Sequence, residues 1–451
     1  MAPIIAPGGA AARPAYRLYI LLLLLALNTL SYADRHLFSI LIPAIKAEFD
    51  VNDSTLGLIG GPGFIVSYVL CSFPFARLAD RWSRRGVLTL AATLWSAATA
   101  ACGLAANAVQ LAAARFAVGI GEAGGLPPSQ SILASLYDER RRSGAMGVLA
   151  SGTYFGVLVG LLGGAAIAQH WGWRAAFITL ALPGLPLALL LWFTGPRRKV
   201  AAVAPAPPID RKDSLVAAVR HCWSIPSLRL LAIGVGVFNI FGYAGAVWMP
   251  AFFMRSHGMT MVEAGSWLGL GAAIGGITGS MASGMIVDRL RRFGEHWQLR
   301  LPAFAFLLSF PLSLVMFTLP GGTALYLAGL AVPGVALIGV INGGLVACWA
   351  GPSFSAAARL VQPAYRSQAV AMLVVIINVI GSVFGPMLGG AVSDMLTARF
   401  GEESLRVSLL MMSVLVVLGG AFMWRASSHY PLDLQRAAST IVDLPPAPLR
   451  K

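Results

Sequence analysis

Four ionisable residues stand inside apolar stretches of this 451-residue chain: Asp34 and Arg35 in the first, Arg115 and Glu122 in the segment Ala113–Ala145. Arg115 and Glu122 are seven residues apart, two helical turns, so they share a helix face at roughly 10 Å. A charge in hydrocarbon costs at least about 2.5–3.5 kcal/mol, so each such group needs a partner or a wet cavity. A carboxylate in that setting is suited to bind and release a proton, because burial favours its neutral form. An arginine there either balances the carboxylate or holds an anionic headgroup. Asp34 and Glu122 are therefore the candidate proton-coupling groups, and Arg35 and Arg115 the candidates for the charge network or for the substrate headgroup. The competing explanation is a static ion-pair cluster that fixes the packing of two helices. Apolar side chains could replace such a cluster at little cost, which favours the functional explanation.

These residues need a scaffold, and composition supplies its class. The chain is 57% hydrophobic and 11% charged, with 50 glycines and a mean hydropathy of +0.75. No soluble domain of this length hides so much apolar surface, so a polytopic membrane protein is expected. The net charge of +15 does not point to nucleic acid, because the basic residues sit in short gaps between apolar runs. Cys71, Cys102, Cys222 and Cys348 have no paired spacing, so neither a disulfide framework nor a metal site follows. No His, Cys or Ser constellation suggests an enzyme, and no cofactor is expected. The first run carries Asp34 and Arg35 and lacks a small-residue cleavage site, so it reads as a retained span rather than a signal peptide.

Twelve apolar runs are each long enough to cross about 30 Å of hydrocarbon: 18–45, 54–76, 87–106, 109–135, 144–169, 173–194, 227–254, 261–287, 301–320, 323–350, 366–394 and 404–425. The only long hydrophilic gap is basic and proline-rich, with a short surface helix expected at Leu215–Cys222. The predicted organisation is a cytoplasmic tail (1–17), a six-helix half (18–194), a cytoplasmic linker (195–226), a second six-helix half (227–426) and a cytoplasmic tail (427–451). Of the 33 Lys and Arg, 26 fall on the side that holds both termini and five on the other (Lys46, Arg174, Arg255, Arg399, Arg406). Arg35 and Arg115 lie within spans. That asymmetry predicts cytoplasmic termini in a bacterial-type inner (plasma) membrane.

The two halves echo each other. Asp80, Arg81 and Arg84 follow the second run, and Asp288, Arg289 and Arg292 follow the eighth; Pro128-Ser129 and Arg142-Ser143 recur as Pro352-Ser353 and Arg366-Ser367. A repeated Asp-Arg loop at the inner face suggests a latch that forms and breaks as that face closes and opens; otherwise it is surface charge of little energetic weight. The second half has no comparable charge in its spans, so a cavity there would be neutral and aromatic. Candidate cavity residues are Asn28, Tyr32 and Tyr154 in the first half, and Asn239, Tyr243, Trp248, Asn342, Trp349 and Asn378 in the second. Each is as suited to an interhelical hydrogen bond as to a ligand. The Gly119-x-Gly121 and Gly160–Gly164 runs lack a preceding strand and read as helix-packing glycines rather than nucleotide loops.

Twelve runs in two halves with a repeated Asp-Arg-xx-Arg loop resemble the major facilitator superfamily. Two strings are similar to its Spinster-like branch: Asp34-Arg35 within YADRHLFSILIPAIKAEF, and GIGEAGGLPPSQSILASLYDERRRSGA at Gly119–Ala145, supported by AQHWGWRAAF at Ala168–Phe177. The resemblance implies an all-α transporter of twelve transmembrane helices in two pseudo-symmetric halves. It implies alternating access, an amphipathic, lysolipid-like or anionic organic substrate, and protons as coupling ion. A monomer in the lipid bilayer is expected. Organic-anion symporters share an acidic-basic pair in the first span, and drug antiporters share the fold. Their fifth-span pattern G-xxx-G-P-xx-G-G is here interrupted by Leu161, while a proline version stands at Gly381–Gly390. A transporter-like sensor that binds without moving substrate is the remaining alternative.

Overall fold

Proline and glycine punctuate the apolar runs and set where each helix begins and ends. The computed structural model describes residues 13–196, 215–327, 330–362 and 365–442. Proline occupies the first turn of Pro14–Phe49, Pro62–Arg81, Leu126–Leu136 and Pro226–His257, where its missing N–H has no helical partner to lose. Asp50 (φ 48°) and Gly258 (φ 65°) end the first and seventh spans in the left-handed conformation.

Among the described residues, nine stretches are long and apolar enough to cross a membrane. Two of them, Gly144–Thr194 (51 residues) and Gln368–Ala437 (70 residues), are long enough for two crossings each. The first turns at Gly172 (φ 81°, ψ 163°) and the second at Gly401 (φ 55°). The fourth crossing is a broken helix: Ala108–Glu122, a turn over 123–125, then Leu126–Leu136. The described residues thus hold twelve crossings, an all-α polytopic membrane protein. Four of the ordinal spans used below are Pro14–Phe49 (first), Asp53–Arg81 interrupted at Gly61 (second), Met261–Leu290 (eighth) and Arg366–Phe400 (eleventh). The two halves meet where the first span packs on the seventh, the second on the eleventh and the fifth on the eighth.

The structure departs from the sequence expectation in three places. The run 323–350 opens as a two-stranded hairpin, Ala324–Leu327 against Leu330–Pro333, and only Gly334 starts the helix. A short apolar run fits strand and helix equally, and Pro333 at the N-cap fixes where the helix begins. The last helix, Val414–Val442, continues well past 426, with Ser427, Tyr430 and Asp433 buried. Asp433 accepts the backbone N–H of Ser227 at 3.0 Å, so the second half does bury a charged side chain. The linker helix expected at Leu215–Cys222 does form, as Leu215–Ser224, and its His221 ring lies 5.1 Å from that of Tyr365.

Candidate charge-paired transport site

Backbone packing seats the fourth span against the second and third before any charge is considered. A Cβ on Gly119 would sit 2.4 Å from the carbonyl oxygen of Phe64, and one on Gly121 2.5 Å from the nitrogen of Trp95. Only glycine lets the fourth span press this closely on the second and third. Its helix then breaks immediately after Glu122, and the freed Glu122 carbonyl accepts the N–H of Gly125 at 3.0 Å. Glu122 therefore stands at the end of a helical segment in mid-span. Interrupted helices of this kind commonly line ion and substrate sites in transporters.

The four charges form two layers. In the inner layer Arg115 Nη1 donates to Asp34 Oδ2 at 2.7 Å, and Thr99 Oγ1 donates to Asp34 Oδ1 at 2.9 Å. Asp34 and Arg115 are 2% and 1% exposed, and the guanidinium lies 5.3 Å from the ring centres of both Phe38 and Phe64. Both carboxylate oxygens of Asp34 have partners. The second layer opens toward a cavity. Arg35 Nε and Nη2 both reach Glu122 Oε2 at 2.6 Å, and Ser31 Oγ donates to the same oxygen at 2.9 Å. Glu122 Oε1 has no hydrogen-bond partner among the described residues. Tyr32, Phe64 and Tyr68 present their rings to Arg35 at 4.9, 4.9 and 5.2 Å, within cation–π range. Arg35 keeps a quarter of its side-chain surface open.

A small cavity borders this second layer, lined by Asn28, Ser31, Tyr32, Trp95, Glu122 and Ser129 among others. About 20 Å³ of it is free for water, room for one or two molecules. The other named candidates have defined surroundings. Asn28 donates to the Leu149 carbonyl at 2.9 Å at the edge of that cavity. Tyr154 bridges the halves, its hydroxyl 3.2 Å from Ser280 Oγ and 3.4 Å from the Gly276 carbonyl. Tyr243 donates to Asn378 Oδ1 at 3.1 Å, and both are only partly buried. Trp349 packs on Phe354 and Phe238. Asn239 donates back to Val235, Trp248 to the Pro386 carbonyl, and Asn342 is enclosed between Ser309 and Ser313. These last three serve helix packing in this conformation.

At the arginine-rich end, the side chain of Asp80 lies outside the described residues. Arg81 is exposed and Arg84 half-buried. In the second half Asp288 is 78% exposed and only 4.0 Å from Arg291, while Arg292 lies 4.8 Å over Phe293. Arg289 enters no ion pair among the described residues. Sequence reasoning passed over the stronger arrangement there. Glu295 accepts from Arg359 at 2.8 Å and from Arg291 at 3.1 and 3.0 Å. These hydrogen bonds, that from Arg359 first, hold the Glu295 carboxyl down at about 2. Sequence reasoning also passed over Asp53, buried at the arginine-poor end between Lys46 and Arg255. Its only signal was an acid placed where the chain has few bases.

The model of the Major Facilitator Superfamily matches residues 24–372. An MFS-type efflux pump of Mycolicibacterium smegmatis is 32% identical over 412 residues, 90% of this chain and 92% of that protein. Protein spinster homolog 1 of Homo sapiens is 26% identical over 93% of this chain and 82% of its own length. Among solved structures, a bacterial homologue of the human lysosomal transporter Spinster, inward-facing and unoccupied, superposes with a TM-score of 0.82. It shares 26% identity over 94% of this chain and 99% of that one.

Proposed function

Because the chain belongs to the major facilitator superfamily, as a Spinster-like transporter, we propose that it moves an amphipathic or anionic organic solute by alternating access, driven by protons. The observation that carries this reading is the Arg35–Glu122 pair beside the cavity. Glu122 is buried and holds Arg35 through one oxygen, and its other oxygen has no partner among the described residues. A proton on Glu122 removes the charge that holds the guanidinium. Arg35, already partly open and seated among three aromatic rings, then turns to the anionic headgroup of a substrate. Loss of the proton restores the ion pair and displaces the anion. Proton and anion thereby bind together and leave together at the Arg35–Glu122 pair. Asp34 is the second carboxylate of the same network and acts from behind, through Arg115.

The half-buried Tyr243, Asn378 and Trp349 of the second half suit the less polar part of such a molecule. The charge asymmetry between the two ends favours cytoplasmic termini. With the arginine-poor ends of the second and eleventh spans joined across the halves, the conformation fits an inward-facing state. Export of a drug-like compound is a second reading, favoured by the efflux pump of Mycolicibacterium smegmatis at 32% identity.

The test is transport by the purified protein in liposomes, with and without a pH gradient, across lysolipids, organic anions and drug-like cations. An anion or lysolipid whose flux rises with the gradient is the expected result. Counterflow of sugars or drug-like cations alone would overturn the assignment, and specific binding without any counterflow would leave a sensor.

A further inference from the structure

The arginine-poor end of the bundle holds a charge cluster that neither the transport site nor the Asp-Arg loops account for. Asp53 opens the second span and is 1% exposed. Arg255, at the end of the seventh span, grips it with two nitrogens, Nη1 to Oδ2 at 2.8 Å and Nη2 to Oδ1 at 2.9 Å. Lys46 adds a third contact to Oδ1 at 2.7 Å, and Ser393 Oγ donates to Oδ2 at 2.9 Å. The next residue of the eleventh span, Asp394, reaches back across the halves. It accepts the backbone N–H groups of Asp53 at 3.0 Å and Ser54 at 2.7 Å, and the Ser54 hydroxyl as well.

We infer that Lys46, Asp53, Arg255, Ser393 and Asp394 form an interlock between the halves that holds the outer entrance shut, and that its rupture is the step that exposes the transport site outward. Three features argue for this. All of these bonds except Lys46–Asp53 cross from one six-helix half to the other, so relative movement of the halves must break them. The cluster carries two positive and two negative side chains and is neutral as a whole, which a buried ionic cluster requires. Asp394 supplies from the second half the carboxylate that caps a first-half helix, satisfying two N–H groups that would otherwise face a sealed interface. Separation of the halves breaks the Arg255, Ser393 and Asp394 bonds and exchanges them for water, while Lys46 stays with Asp53 in the first half. Its outward placement rests on the orientation proposed above, while its locking role rests on the contacts alone.

The test places a reporter in the sealed interface and reads accessibility rather than transport. Val247 of the seventh span faces Gly60 of the second, its Cγ1 3.6 Å from where a Cβ on that glycine would stand. With Cys71, Cys102, Cys222 and Cys348 replaced, Val247→Cys gives one thiol for a membrane-impermeant maleimide applied separately to each face of oriented vesicles. Arg255→Gln and Asp53→Asn each speed labelling on the order of tenfold, since breaking a buried pair shifts the equilibrium by at least that much. Arg255→Lys, which keeps a positive charge against Asp53, retains slow labelling. If Arg255→Gln does not fold, Ser393→Ala, which removes one hydrogen bond, raises the rate about threefold. Unchanged labelling in folded variants overturns the lock. Acceleration from the opposite face supports the lock and overturns the orientation instead, and neither result depends on which solute is carried.

Discussion

Arg35 meets Glu122 at a single oxygen: its Nε and Nη2 both converge on Oε2 at 2.6 Å. A fork-on-fork pair would engage both carboxylate oxygens and be harder to part. Here the second oxygen stays uncommitted beside a space that admits water. On the proposed reading, that incomplete pairing is what lets a proton on Glu122 open the pair.

Glu122→Gln tests that directly. The amide cannot titrate, so flux in liposomes should lose its response to a pH gradient while substrate counterflow persists. Retained gradient-driven uptake at the level of the parent protein would remove Glu122 from the proton path.

The inner pair behaves differently when broken. Arg115 is enclosed by Phe38 and Phe64, so Asp34→Asn strands a buried cation at a cost of about 3–5 kcal/mol. Melting of the detergent-purified protein should fall sharply, and the surviving fraction should keep the pH response of the parent. The double variant Asp34→Leu with Arg115→Met should recover most of the stability. A full-strength, pH-independent transporter carrying Asp34→Asn would instead move the proton site to Asp34.

Glu295 gives a pH signature outside the membrane. Its carboxyl is held down at about 2, chiefly by Arg359, from about 4.3 in an unfolded chain. A lowered value stabilises the fold above the unfolded pKa and loses that contribution as pH falls toward the folded one. Glu295→Gln should lower the melting temperature by a constant amount from pH 7 to 5, and the gap should narrow below about 4.3. A gap that widens on acidification would contradict the pairing.

Gly390 marks the tightest approach between the second and eleventh spans: a Cβ there would sit 2.3 Å from the Asp53 carbonyl oxygen. Gly390→Ala should therefore wedge the arginine-poor end apart. Spin labels on exposed Leu58 and Met395 would report a longer or broader distance distribution than in the parent. An unchanged distribution would mean that the two spans do not need this contact to close.

The parts of this architecture written in the sequence are those with a local signature. Twelve runs, the basic asymmetry of the loops and Asp34, Arg35, Arg115 and Glu122 each follow from hydropathy or from a charge that hydrocarbon makes conspicuous. How those four pair is not local. Seven-residue spacing placed Arg115 and Glu122 on one face, yet each binds a residue of the first span instead. Asp53 shows the same limit more strongly. It stands at the start of a helix beside Asn52, where an acid is ordinary N-terminal chemistry, and its partners Arg255 and Ser393 are 202 and 340 residues away. The hairpin 324–333 was hidden for another reason, since a short, unbroken apolar run shows no period that separates strand from helix.

The second and eleventh spans meet largely through Gly57, Gly61 and Gly390, so the atoms that touch are backbone atoms of Pro386, Ser382 and Asp53. Glycine has no rotamers to freeze, whereas burying a long side chain costs up to about 1.5–2 kcal/mol of conformational entropy. Apart from the Asp53, Ser393 and Asp394 contacts at its end, closing this seam therefore orders little that was free before, and opening it releases little. The entropy difference between open and closed seam stays small, and the proposed alternating-access cycle, which visits both in every turn, needs their free energies to lie close together.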